Sequence, residues 1–75
     1  MLPENVRERV VKEQNELRDK ITKLALFIYS AKIETVDKKQ AGLLKAQLHV
    51  MEEYDEILTE RLELDYKLGA RYLEQ

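Results

Sequence analysis

The chain has no cysteine, no tryptophan, one proline and two glycines among its 75 residues. Without cysteine it makes no disulfide and offers no thiolate to a metal. A lone histidine, His49, is too little to anchor a typical zinc site. So few glycines and prolines leave few turn signals, which excludes a many-stranded sheet and suits long helices. No apolar run approaches the ~18 residues of a membrane span. Met1 through Gln14 lack the apolar stretch of a signal peptide. A soluble protein in a reducing compartment, with no membrane partner, is the expectation. Charge of one sign is also not in excess: 13 basic residues face 15 acidic ones, for a net charge of -2. Proteins that bind nucleic-acid polymers through the backbone carry a clear basic excess, so no such partner is expected and a DNA-associated regulator is disfavoured.

What is present is charge and aliphatic side chains, 37% and 44% with the aromatics counted among the hydrophobics. One domain spanning residues 1–75 is expected. A chain this short buries little of its surface and needs a staple. With disulfides and metals excluded, self-association is the remaining staple. Val10, Gln14, Leu17, Ile21, Leu24, Ile28 and Ala31 recur at steps of four and three, which is one stripe of an amphipathic helix. Leu26, Phe27, Tyr29 and Ile33 widen the apolar surface at its end. Pro3 and Glu4 suit a helix start, although a short separate N-terminal helix is compatible with the same residues. Asp37 with Gln40 resembles a capping box, and Thr35 competes for the cap. Ile33 and Val36 are placed to plug this end of the hairpin.

A second helix carries two stripes. Leu44, Leu48, Met51, Leu58 and Leu62 are expected to pack on the first helix. Leu43, Gln47, Val50, Tyr54, Ile57, Arg61, Leu64 and Leu68 form another stripe, too apolar for plain solvent. The boundaries predicted are a helix over about 4–31, a turn over about 32–37 and a helix over about 38–70, with Gly69 ending or fraying the last. The fold class is all-α: an antiparallel helical hairpin that completes its core by assembling into a homo-oligomeric bundle.

Catalytic chemistry finds no foothold. Ser30 is the only serine, no base is placed beside it, and no glycine-rich phosphate loop exists. Glu52, Glu53, Asp55 and Glu56 read as carboxylates of an exposed helix. His49, Glu52 and Glu53 share a helix face and could touch a divalent ion by spacing, but they read as a solvated helix face. No enzyme, no cofactor and no metal is expected. Arg61 is more informative because it lies on the second apolar stripe. Either its stem covers apolar surface, or its guanidinium stands at a subunit junction able to grip a phosphate bidentately. By periodicity alone Lys20 and Thr22 read as solvated, and Phe27 and Tyr54 as core.

The order Leu17, Lys20, Ile21, Leu24, Phe27, Ile28, Ser30, then Gln40, Leu43, Leu44, Gln47, Leu48, Met51, Tyr54, Ile57, Leu58, Arg61, Leu62 resembles a phage hairpin domain. That domain is shared by anti-CBASS cyclic-nucleotide sponges and by one class of Thoeris anti-defence sponges. The resemblance covers about residues 9 to 62. It implies a compact helical oligomer, a hexamer in the anti-CBASS case, acting in the host cytoplasm. Such proteins hold cyclic di- and trinucleotides away from defence effectors without cleaving them. Lys20 corresponds to a lysine of the dinucleotide pocket. Thr22 and Arg61 correspond to residues that grip trinucleotides at a three-fold junction. The dinucleotide pocket also uses an N-terminal tyrosine that stacks on a base. Asn5 stands near that place here, and Phe27 is the first aromatic. The alternatives are a helical module that docks another protein and a sponge for a cyclic ADP-ribose-type signal.

Overall fold

The computed structural model describes residues 4–74, and the side chains of residues 4–66. Helix α1 spans Glu4–Ile28, a 3-10 turn spans Ala31–Thr35, and helix α2 spans Lys38–Glu74. The first helix is unbroken from Glu4, so no separate N-terminal helix exists among the described residues. The two helices run antiparallel as a hairpin. The molecule measures 58 × 16 × 14 Å, with a Cα radius of gyration of 17.0 Å. A compact chain of this length would come to about 11 Å. The hairpin is therefore a thin rod with one seam rather than an enclosed core.

The helix boundary at Ile28 lies earlier than the position near residue 31 expected from sequence. Ser30 is the cause. Its backbone is extended, at φ -93° and ψ 163°. Its hydroxyl donates to the Phe27 carbonyl at 2.7 Å, while its amide donates to the same carbonyl at 3.2 Å. A short polar side chain has captured a carbonyl that the next helical turn would need. The Ser30 Oγ then accepts from the Lys32 amide and starts the 3-10 turn. Asp37 caps α2, its Oδ2 accepting from the Lys39 amide at 3.1 Å. Thr35 does not compete for that cap, because its hydroxyl donates to the Lys32 carbonyl instead. Ile33 and Val36 are half-buried over the turn. At the other end the α2 backbone continues through Gly69 to Glu74 without a break.

The seam is built as the stripes require. Val10, Leu17, Ile28, Leu48 and Leu58 are buried, and Leu58 is fully enclosed at 0% exposure. Val6, Ile21, Met51 and Leu62 pack against the central cluster from its edges. Five buried aliphatics among the described side chains make a thin seam. At ~25 cal/mol per Å² of apolar surface, so thin a seam stabilises the chain only modestly against its conformational entropy.

Two polar groups sit inside this seam. Gln14 is buried, and its Nε2 donates to Thr59 Oγ1 at 2.7 Å and to Asp55 Oδ1 at 3.2 Å. Asp65 is buried too, and Arg7 Nε donates to its Oδ2 at 2.8 Å. No buried side-chain nitrogen or oxygen among the described residues is left without a partner. Partners set far apart in sequence hold the two helices in one register, since sliding would part the buried Gln14 amide from Asp55 and Thr59 and the buried Asp65 carboxylate from Arg7.

Candidate functional site

The hairpin has two flanks, one on each side of the seam. On the first, Arg18 Nε donates to Asp55 Oδ1 at 2.9 Å, beside Gln14 and Thr59. On the second, Tyr54 donates its phenolic hydrogen to Glu13 Oε1. Heptad spacing then assigns the remaining candidates. Lys20 and Phe27 lie one and two heptads after Glu13 and share its flank. Arg61 lies one heptad after Tyr54 and shares it as well. Thr22 lies one turn after Arg18 and belongs to the opposite flank.

Lys20 and Arg61 are exposed and make no ion pair or hydrogen bond with the described residues. Lys23, by contrast, is paired with Asp19 at 2.9 Å. Thr22 is exposed, and its Oγ1 donates to the Arg18 carbonyl at 3.0 Å, so its lone pairs and not its proton face outward. Phe27 is half-buried and Asn5 exposed. The cross-helix pairs place Arg61 level with Arg9, and Thr22 level with Leu48. About 20 Å of helix axis separates Thr22 from Arg61. One chain therefore does not bring those two residues together, and they meet only if different chains contribute them. Lys20 and Arg61 share a flank but stand about 16 Å apart along it.

Around Arg61 the surface is apolar. Leu43, Val50, Ile57 and Leu64 are all more than half exposed on this one flank. Gln47, in the same row, reaches only along its own helix, to Met51 Sδ. Tyr54 is 40% exposed. The hydrogen bond to Glu13 raises its phenol above the ordinary value, slight desolvation and the charge of Glu13 add to this, and the charge of Arg61 opposes it. The guanidinium thus lies within electrostatic reach of the phenol, in an otherwise unpartnered aliphatic row. Leu68, the last member of that row by sequence, lies outside the described side chains.

Periodicity missed three features. Asp55 is no ordinary carboxylate of a solvated helix, because Arg18 and Gln14 both donate to it. Asp65 is a heptad after Leu58, which places it on the seam stripe, but only the fold supplies Arg7 to cover it. Arg9 falls one turn before Glu13, on the flank of Arg61 and at its level, and adds a second guanidinium there. His49 pairs with Glu53 at 2.9 Å on an exposed face. No group of three or more metal-ligating side chains forms among the described residues, and no described helix is long and apolar enough to cross a membrane.

Neither a curated protein nor a solved structure matches the chain. One family does. The model named Sequestin matches residues 4–64, a span that runs from the first residue of α1 to the last described leucine of the exposed row. That span takes in every buried aliphatic residue of the seam, the junction of Gln14 with Asp55 and Thr59, and Arg61 with its surroundings, and on it the chain belongs to the Sequestin family.

Proposed function

We propose that this Sequestin-family chain is a phage anti-defence protein that binds cyclic oligonucleotide second messengers and withholds them, uncleaved, from CBASS-type effectors in the host cytoplasm. The family's name supports sequestration as the activity. The observation that carries the reading is Arg61: a guanidinium that forms no ion pair with a described residue, in a row of exposed aliphatic side chains. A cation so placed forms no ion pair or hydrogen bond among the described residues of the hairpin. It is planar, always charged and suited to bidentate contact with a phosphate.

The proposed assembly is a homo-oligomer, with a hexamer as the expected form, built through the exposed row on α2. Symmetric copies repeat Arg61 and Thr22 around an axis, which a ligand with repeated phosphates matches. Lys20, with Phe27 and Asn5, supplies the contacts proposed for a dinucleotide. Sequestration needs affinity and no chemistry, so no catalytic residue or cofactor enters the proposal. A net charge of -2 is no obstacle, because a few convergent cations outweigh distant charges screened beyond ~8 Å.

Isothermal titration of the purified protein with cyclic di- and trinucleotides and cyclic ADP-ribose isomers tests the reading. The expected result is stoichiometric binding of at least one trinucleotide, with intact ligand recovered after denaturation. Arg61→Glu should lower that affinity at least a hundredfold while the helical circular-dichroism signal stays unchanged. Binding of cyclic ADP-ribose isomers alone would move the protein to the Thoeris-type reading. Silence across the panel, with a host or phage protein captured by the exposed row, would replace sequestration of nucleotides by protein docking.

A further inference from the structure

A depression of about 300 Å³ lies at the closed end of the hairpin, on the flank opposite Arg61. It is lined by Ile28, Tyr29, Lys45, Leu48, His49 and Glu52. Its chemistry is mixed in a particular way. Ile28 and Leu48 are buried seam residues, so they form a fixed apolar floor. Tyr29 follows the end of α1 and is 84% exposed, an aromatic face that packs on little of its own chain. Lys45, His49 and Glu52 follow at i, i+4 and i+7 on one face of α2 and form the wall. His49 is held by Glu53, while Lys45 and Glu52 make no ion pair with the described residues.

An aromatic plate, a cation, a carboxylate and an apolar floor match the parts of one ligand class. A base stacks on an aromatic ring with little regard to sequence. A lysine ammonium suits a phosphate as a point charge. A carboxylate accepts from ribose hydroxyls, as in dinucleotide-binding folds. We propose that this depression is a ribonucleotide subsite, in which Tyr29 stacks on the base, Glu52 accepts from the ribose hydroxyls and Lys45 takes the phosphate. The inference rests on the sequestration reading for its ligand class, but its lining residues are other than Lys20, Thr22 and Arg61. The depression and the surface around Arg61 would then hold different parts of one ligand or two ligands at once.

Amide chemical-shift mapping on the uniformly labelled full chain tests this, with adenosine 5′-monophosphate and cyclic di-adenosine monophosphate as probes. Shifts confined to residues 28–29 and 45–52, with binding weakened roughly ten- to a hundredfold in both Tyr29→Ala and Lys45→Glu, would support the subsite. Replacement of the monophosphate probe by its 2′-deoxy form should weaken binding several-fold, and Glu52→Gln should erase that difference. Saturable binding whose shifts centre on Lys20, Phe27 and Arg61, unchanged in Tyr29→Ala, would overturn the subsite and leave sequestration standing. No shift with either probe would overturn the subsite, and silence across the wider titration panel would overturn sequestration as well. Both variants alter exposed side chains, so loss of the helical signal is not expected to confuse the result.

Discussion

The two flanks of the hairpin are built from the same helices and solve different problems. The flank of Arg18 is closed on itself. Arg18, Asp55, Gln14 and Thr59 satisfy one another across the seam, and Arg7 covers Asp65 further along. Among the described residues the flank of Tyr54 has one cross-helix bond, to Glu13, and beyond it a row of exposed leucine, valine and isoleucine with Arg61 among them. Polar groups are spent where the single chain must choose its register. Apolar groups are left where a single chain has nothing to cover them. An exposed aliphatic row of this extent is unusual on a monomer that stays monomeric. The contrast separates the part of the molecule that specifies the hairpin from the part that is available to another molecule.

The strongest way to break this comparison is to remove the seam on which both flanks depend. Leu58→Ala should cost about 2–5 kcal/mol, enough to unfold much of a hairpin with so few buried aliphatics. Urea denaturation followed at 222 nm checks it, and a loss below 1 kcal/mol would mean that the seam is not the principal support. The next experiment strikes the open flank alone. Ile57→Asp combined with Leu64→Asp should reduce the mass seen by light scattering to that of a single chain of 8.9 kDa and keep the helices at high protein concentration. An unchanged mass would place the assembly surface elsewhere.

The closed flank should answer differently. Gln14→Ala should lower stability by about 1–2 kcal/mol and leave the assembled mass unchanged. If the mass changed and stability did not, the roles of the two flanks would be reversed. The smallest effect is a titration. The hydrogen bond to Glu13 keeps the Tyr54 phenol protonated beyond its ordinary range near pH 10. The folded-state value is raised, so the associated stability is fully present below the unfolded value and is lost as pH climbs through the folded one. Tyrosinate absorbance at 295 nm should show a late-titrating component that is lost in Tyr54→Phe. Arg61→Gln should delay it further, because the opposing positive charge is gone. Absence of a component lost in Tyr54→Phe would break the proposed bond to Glu13, and a titration unmoved by Arg61→Gln would break the link between Arg61 and Tyr54.

Much of the fold was legible in the sequence because a helical seam repeats. Val10, Leu17, Leu48 and Leu58 declare themselves through spacing alone, and the exposed row from Leu43 to Leu64 emerged as a second stripe for the same reason. The end of α1 was less legible. Ser30 acts through a hydroxyl that competes for one carbonyl, and no glycine or proline marks the place. The polar junctions were illegible because their partners stand about forty to sixty residues apart in sequence. Gln14 looked like a stripe member, which it is, but nothing in the spacing named Asp55 and Thr59 as its acceptors. Among the site candidates, the flank of Lys20, Phe27 and Arg61 followed from heptads once the fold aligned the helices. The opposite placement of Thr22 needed the cross-helix bonds.

The register lock carries one more consequence. With the helices unable to slide, the hairpin is a ruler: Lys20 and Arg61 are marks about 16 Å apart on one edge. An anion too small to touch both marks meets the Lys20 end or the Arg61 end of one chain, and reaches the other kind of mark only on a neighbour. Under the proposed function, ligand capture and chain assembly are then one linked equilibrium. The ligand draws chains together by the same free energy with which assembly tightens the ligand. A dilute pool of single hairpins would hold little signal, and the arrival of the signal would itself build the container.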